Sequence, residues 1–294
     1  MSRIAYVNGR YLAHADASVH IEDRGYQFAD GVYEVVAVVD GRFIDNDWHL
    51  ERLAYSLSEL DMPMPMSAAA LEVVMAETVR RNGVRNGIVY LQISRGVARR
   101  DHVFPKRPVR PAVVVTARRT GPTPASVVED GVRVITTPDL RWRRCDIKSV
   151  SLLPNVLAKQ AARAAGAFEA WQVDDDGYVT EGGSTNAWIV LMDGTVVTRP
   201  AGHEILNGIT RRRLLRLMRD AGLRVEERPF TVDEAKAARE AFLTSTTSFV
   251  YPVVQVDDAV VGNGKPGSTT LDLRRLYVEY TRNVVPSAPA HAAE

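Results

Sequence analysis

Five lysines stand among the 37 basic residues of this 294-residue chain: Lys106, Lys148, Lys159, Lys236 and Lys265. Any chemistry that needs a nucleophilic or proton-carrying amine therefore has a short list of candidates. Lys106 and Lys265 adjoin Pro105 and Pro266 in loop-like sequence, and Lys159 and Lys236 fall on polar faces of helical stretches. Lys148 stands apart, in Trp142-Arg143-Arg144-Cys145-Asp146-Ile147-Lys148-Ser149. It follows a strand-like run and precedes a helix opening near Leu153, a junction at which side chains point into clefts. On these residues alone, a structural salt bridge explains Lys148 as well as catalysis does.

Other patterns fail for physical reasons. Gly262-Asn263-Gly264-Lys265-Pro266-Gly267 matches the dinucleotide-binding glycine pattern, but it comes near the chain's end with a proline inside it. That loop must follow the first parallel strand of a βαβ unit, so a glycine-rich hairpin end is the better reading. Arg211-Arg212-Arg213, with Arg216 and Arg219, shares a helical stretch with Leu214, Leu215, Leu217 and Met218, which makes it the solvated face of an amphipathic helix. The six histidines show no metal-ligand spacing, and neither His-Glu-x-x-His nor Gly-x-Ser-x-Gly occurs. No metal is expected.

The elements that must position any site are legible from turns and periodicity. Asn8-Gly9, Asp40-Gly41, Asp176-Gly177 and Asp193-Gly194 separate short β-branched runs, which predicts hairpins. Further strands are expected at Ile88–Ser94, Ala112–Ala117, Arg133–Thr136, Ala241–Thr244 and Val253–Val256. Helices are expected after Asp47, with a stripe of Leu50, Leu53, Leu57 and Leu60, and after Ser67, stopping at Gly83. Others are predicted over Leu153–Ala165, Thr210–Ala221, Val232–Arg239 and Leu271–Asn283. With most connections hairpin-like, the fold class is α+β, with mixed, mostly antiparallel sheets and packed helices.

Thr120-Gly121-Pro122-Thr123-Pro124 has linker composition. It predicts a small N-terminal domain (1–118), a linker (119–125), a large C-terminal domain (126–285) and a disordered tail (286–294). A hydrophobic fraction of 46% and a charged fraction of 25% are ordinary globular values. The net charge of +1 gives no reason to expect nucleic acid or a membrane as partner. One cysteine, no leader-like apolar core at the N-terminus and no long apolar run lead to the expectation of a cytoplasmic protein.

Six ordered blocks now bear on Lys148. They are Asp23-Arg24-Gly25-Tyr26-Gln27-Phe28-Ala29-Asp30-Gly31-Val32-Tyr33-Glu34, His49-Leu50-Glu51-Arg52-Leu53, Arg144–Ser149, Val179-Thr180-Glu181-Gly182-Gly183-Ser184-Thr185-Asn186, Gly208-Ile209-Thr210-Arg211 and Thr244-Ser245-Thr246-Thr247-Ser248. Together they closely resemble the class IV, or fold type IV, aminotransferases, over nearly the whole chain. The resemblance implies pyridoxal 5'-phosphate as cofactor, covalently held by Lys148, which then carries the α-proton. It implies that Glu181 faces the pyridine nitrogen, and that Arg52, Ile209, Thr210, Ser245 and Thr246 hold the phosphate. Ser184, Thr185 and Asn186 complete the cofactor-binding set. The start of the helix after Gly208 suits an anion, because its first N–H groups lack intrahelical partners.

Within the family, Arg100-Asp101-His102 resembles the loop with which D-amino-acid transaminases trap a substrate α-carboxylate, Tyr33 being the third donor. A guanidinium binds a carboxylate through two parallel bonds and so fixes which enantiomer presents its α-hydrogen to Lys148. The implied substrates are a D-amino acid (alanine, glutamate or aspartate) and a 2-oxo acid. A homodimer is implied too, with Arg100 and His102 serving the neighbouring subunit. Branched-chain L-amino-acid transamination, aminodeoxychorismate lysis and a non-enzymatic binding role are the alternatives. Phe249, where such transaminases tend to carry an acid, and Gly183 and Thr185, where serines are common, depart from the pattern.

Overall fold

The computed structural model describes residues 3–283, so the expected tail at 286–294 lies outside the described residues. The chain forms two compact units. Of the described residues, the first contains those up to Gly121, the five residues Ile147–Ser151 and Arg282 and Asn283; the second contains Pro122–Asp146 and Leu152–Thr281. The sequence reading keeps Lys148 inside one continuous C-terminal block. Instead, the strap around it returns to the first unit, where Ile147 is buried in the core. There the Tyr33 N–H donates to the Lys148 carbonyl at 3.0 Å and the Val150 N–H to the Gly31 carbonyl at 3.0 Å.

In the first unit, strands β1 (Ile4–Val7) and β2 (Arg10–Ala13) meet at Asn8-Gly9, whose φ values of 49° and 96° suit a tight hairpin. Helix α1 (Arg24–Phe28) is N-capped by Asp23. Strands β3 (Gly31–Val39) and β4 (Arg42–Phe43) turn at Asp40-Gly41. Helices α2 (Asn46–Ser58) and α3 (Ala68–Arg81) precede β5 (Gly87–Ser94) and β6 (Ala112–Arg119). The sheet runs β2-β1-β6-β5-β3-β4 with every neighbour antiparallel. Strand alternation puts Val32, Glu34, Val36 and Val38 on one buried face. The valines pack with Leu50, Leu53 and Leu57 of α2 and Leu71 and Met75 of α3. Ser67 caps α3 as expected, but α2 starts earlier than Asp47: Asp45 takes the cap position with φ 53° and makes no side-chain cap bond.

The second unit opens with α4 (Ala125–Glu129), β7 (Val132–Pro138) and α5 (Leu153–Ala164). Strands β8 (Glu169–Val173), β9 (Val179–Gly182), β10 (Asn186–Val190) and β11 (Val196–Thr198) follow. Then come α6 (Ile209–Asp220), β12 (Val225–Glu227), α7 (Val232–Lys236), β13 (Glu240–Ser245), β14 (Phe249–Val256), β15 (Ala259–Val260) and α8 (Ser268–Asn283). The sheet order is β12-β11-β10-β13-β14-β7-β8-β9, with β15 on β14. Parallel pairs occur at β11–β12, β14–β7 and β7–β8, so this sheet is mixed. It is buried on both faces: Ala187, Ile189 and Leu243 point into one core, and Trp188, Val190 and Phe242 into another with Leu214, Met218 and Leu273. Burial of each large apolar side chain contributes about 1.5–3 kcal/mol.

Candidate active site

The strap of the first unit presents Lys148 to Tyr33. Ser149 bridges to Val32, and the Lys148 N–H donates to Ser56 Oγ of α2 at 3.1 Å, so the backbone is fixed on both sides. Lys148 Nζ lies 4.4 Å from the centroid of the Tyr33 ring, a cation–π contact. Tyr33 in turn stacks on Tyr90 at 5.6 Å. Burial, and after it the neighbouring Tyr33, pushes the Tyr90 phenol up to about 12, so it remains a donor, here to Gln92 Oε1 at 2.7 Å.

On the opposite face of β3, one residue on, Glu34 is buried beneath α2. Arg52 grips it through Nε and Nη2, each at 2.8 Å, and His49 Nδ1 lies 2.7 Å from Oε2. Burial raises the Glu34 carboxyl, but Arg52 and then His49 outweigh it and hold the group at about 2. Burial lowers His49 more than Glu34 raises it, so the imidazole is held neutral. Sequence reasoning assigns a role to neither Glu34 nor His49. The signal is present all the same: an acid in register with Val32, Val36 and Val38 needs a buried partner, and His49 and Arg52 share a helix face three residues apart.

Arg100 and His102 lie in an exposed segment of the same unit and share no hydrogen bond, ion pair or ring contact with Lys148 or Tyr33. Both meet Phe28 instead, the Arg100 guanidinium 4.8 Å from its centroid and the His102 ring at 5.4 Å.

In the second unit, Glu181 is buried and held from three sides. Arg141 Nη1 pairs with its Oε1, the Leu206 N–H donates to Oε1 at 3.1 Å, and Asn186 Nδ2 donates to Oε2 at 2.9 Å. Gly208 lets Asn186 come this close, because a Cβ there would overlap Asn186 Oδ1. Arg141 also binds Asp139 at 2.7 Å, Thr180 Oγ1 at 3.2 Å and the Glu204 carbonyl at 3.0 Å. Burial disfavours its charge, but Glu181 and Asp139 more than reverse this and keep the guanidinium protonated. Asp139 is raised by burial and lowered further by Arg141, so it too stays ionised. The sequence reading misses Arg141, since Asp139-x-Arg141 has no motif or periodicity to mark it.

Ile209 and Thr210 are buried in the first turn of α6, and Gly208 gives that turn no side-chain cap. Uncapped amides and the helix dipole suit an anion. Ser245 Oγ accepts from the Ser248 N–H at 3.0 Å and lies 3.2 Å from Thr247 Oγ1, while Thr246 is half-buried in the same turn. The turn ends at Phe249, whose φ of 59° is left-handed, a conformation that an aromatic residue rarely takes. Ser184 donates to Glu169 at 2.9 Å, and Thr185 Oγ1 is buried without a hydrogen-bond partner. Arg211, expected on a solvated face, is instead buried, bound to Glu227 at 2.6 Å and to the Arg199 carbonyl at 2.8 Å. A guanidinium out of water needs such partners, although Arg211 Nε itself is buried without one.

Three other lysines are occupied: Lys159 by Glu169 at 3.2 Å, Lys236 by Asp257 at 3.1 Å and Lys265 by Asp130 at 3.5 Å; Lys106 is exposed in a loop. Burial pushes the Cys145 thiol up to about 12, against Arg141, so it is no nucleophile at neutral pH. The described residues hold no group of three or more metal-ligating side chains.

Known proteins resemble the chain over nearly its whole length. The chain is 41% identical over 272 residues to a D-alanine aminotransferase of Bacillus licheniformis, covering 91% of this chain and 93% of that one. It is 38% identical over 278 residues to a D-alanine aminotransferase of Staphylococcus epidermidis, covering 95% and 98%. Its fold superposes with a TM-score of 0.86 on a T.th. branched-chain amino acid aminotransferase with pyridoxamine 5'-phosphate, at 28% identity and 95% and 94% coverage. Residues 31–256, which run from the first residue of β3 through the Lys148 strap to the end of β14, match the model of the amino-transferase class IV family, and the chain belongs to that family.

Proposed function

We propose that this aminotransferase moves the amino group of a D-amino acid, of the alanine, glutamate or aspartate kind, to a 2-oxo acid, with pyridoxal 5'-phosphate as its cofactor. The observation that carries the reading is the Lys148 amine poised on the Tyr33 ring, in a chain whose relatives are named for D-alanine. Each unit carries groups of the kinds such a cofactor needs: in the first, an amine for its aldehyde; in the second, an uncapped helix start for its phosphate, a held carboxylate for its ring nitrogen and the unpartnered Thr185 hydroxyl. When bound, the cofactor supplies an electron sink for the pair left behind when the α-proton departs.

The protein's own part is binding, orientation and proton movement. Lys148 holds the cofactor and then moves the proton from the substrate α-carbon. Glu181, kept in place by Arg141 and Asn186, holds a proton on the ring nitrogen. The amides of Ile209 and Thr210, the hydroxyls of Ser245 and Thr246 and the guanidinium of Arg52 bind the phosphate. Ser184 keeps Glu169 beside the Glu181 strand. Arg100, His102 and Tyr33 bind the substrate α-carboxylate. The exposure of Arg100 and His102 supports a homodimer in which they serve the neighbouring copy. No helix of the described residues is long and apolar enough to cross a membrane. The cytoplasm is the location we propose, a reading supported by the single cysteine of the sequence.

Steady-state assays with 2-oxoglutarate separate the readings. D-Alanine should be the faster donor and L-leucine the slower; the reverse order would favour branched-chain L-transamination, the T.th. structure being that of a branched-chain amino acid aminotransferase. Arg100→Ala should lower kcat/KM for D-alanine roughly ten- to hundred-fold, the loss of a charged hydrogen-bonded contact of about 1.5–3 kcal/mol. Unchanged kinetics in that variant would remove the carboxylate-binding role.

A further inference from the structure

Between Arg99 and Arg110 the chain belongs to no helix or strand, yet it carries Arg100 and His102. A clamp that must hold two donors at fixed spacing cannot rest on an unsupported loop. The support comes from Arg24, the first residue of α1, which is only 3% exposed. Its Nη1 donates to the carbonyls of Asp101 at 2.6 Å and Val103 at 3.5 Å, and its Nη2 to that of His102 at 3.5 Å. Its Nε binds Asp30 Oδ2 at 2.7 Å. The same Asp30 oxygen takes Arg95 Nε at 2.7 Å, and the Arg95 guanidinium lies 3.7 Å from the Phe104 ring centroid at the loop's far side. Arg95 is tied down in turn by the carbonyls of Leu60 at 2.7 Å and Asp61 at 3.3 Å.

Phe28, at the end of α1, is the second support. Three cationic or imidazole groups surround its ring: Arg24 at 4.8 Å, Arg100 at 4.8 Å and His102 at 5.4 Å. Helix α1 is itself pinned, since Asp23 caps it and accepts from Ser94 Oγ at 2.9 Å. Backbone carbonyls that would otherwise face water are thus fixed by one buried fork-shaped cation, and the side chains between them are laid against one aromatic plate.

We infer that Arg24 and Phe28 are positioning residues for substrate α-carboxylate recognition: Arg24 sets the backbone of residues 101–103, and Phe28 sets the side chains of Arg100 and His102. Neither touches substrate. The inference rests on the proposed carboxylate role of Arg100 and His102. A lysine at position 24 keeps the charge but, as a single ammonium, cannot serve Asp30 and the three carbonyls together.

The test uses the holoenzyme and four variants: Arg24→Lys, Phe28→Leu, Arg100→Ala and the double variant Arg24→Lys/Arg100→Ala. Arg24→Lys should raise KM for D-alanine roughly ten-fold with kcat changed less than about three-fold. It should weaken inhibition by propionate, a carboxylate without an amine, by the same factor, and leave the cofactor's visible spectrum unchanged. Phe28→Leu, at a half-buried position, should show the same split at a smaller size, and serves if Arg24→Lys does not fold. The double variant should lose less in KM than the two single losses combined, because with Arg100 gone only His102 remains for Arg24 to position. If Arg100→Ala raises KM while Arg24→Lys or, failing its folding, Phe28→Leu leaves KM and propionate inhibition alone, the inference is overturned. Additive losses in the double variant overturn it too. If Arg100→Ala itself has no effect, it is the carboxylate reading that fails.

Discussion

Lys148→Ala should purify without covalently bound cofactor and without the visible band of the wild type, and should lose transaminase activity by at least about 10⁴-fold. The size follows from removing both roles proposed for Lys148 at once: the amine of the covalent link and the base that carries the α-proton, the latter alone contributing about 10²–10⁴. Stability should change little, since among the described residues the Lys148 side chain has one polar or ring contact, to Tyr33. A cation–π contact contributes about 0.5–1 kcal/mol when exposed and more when desolvated. Lys148→Arg keeps that cation and should be equally inactive. A purely structural lysine predicts the opposite: a lower melting temperature in Lys148→Ala, near-full stability in Lys148→Arg, and activity retained in both. Activity assays and thermal denaturation on the two variants read out the difference.

The second large effect is expected at Glu34, which touches no substrate. Glu34→Ala leaves Arg52 and His49 without their buried acceptor and should cost about 3–5 kcal/mol of stability. Glu34→Gln keeps the shape but not the charge and should fall between. The same pair sets a pH dependence. The Glu34 carboxyl lies at about 2, against an ordinary 4.5, which corresponds to roughly 3 kcal/mol. That contribution is fully present above pH 4.5 and disappears as pH falls from there toward 2. His49 is lowered from 6.5, so its contribution is present above pH 6.5 and declines as pH falls below it. Urea midpoints of the wild type should therefore drop below pH 6.5 and again below pH 4.5, and Glu34→Gln should lack the lower drop. Equal midpoints for the two proteins near neutral pH would contradict the ion pair. Because Arg52 is aimed by Glu34, the variant should also release cofactor more readily on dialysis.

The parts of this fold legible in the sequence are those set by local physics. Asn8-Gly9 and Asp40-Gly41 adopt the positive φ values their hairpins require, and Ser67 and Gly83 bracket α3 as their chemistry demands. What stays hidden depends on where the chain goes afterwards. Nothing in residues 142–149 says that Ile147–Ser151 leaves its sequence neighbours to lie beside β3, because that pairing joins segments far apart along the chain. Arg211 reads as a solvated arginine because helical periodicity marks faces without saying which polar residues are paired beneath them. The roles proposed for Lys148, Glu181 and Tyr33 rest on ordered motif blocks. The pairing of Arg141 with Glu181 and of Arg24 with the 101–103 backbone spans sequence separations that no local pattern encodes.

Reductive trapping of the purified wild-type protein with borohydride, followed by peptide mapping, tests the central claim most directly. One modified lysine is expected, at position 148, bearing a reduced pyridoxyl phosphate. A tag on Lys159, Lys236, Lys265 or Lys106, or no tag on a protein supplied with pyridoxal 5'-phosphate, would contradict it.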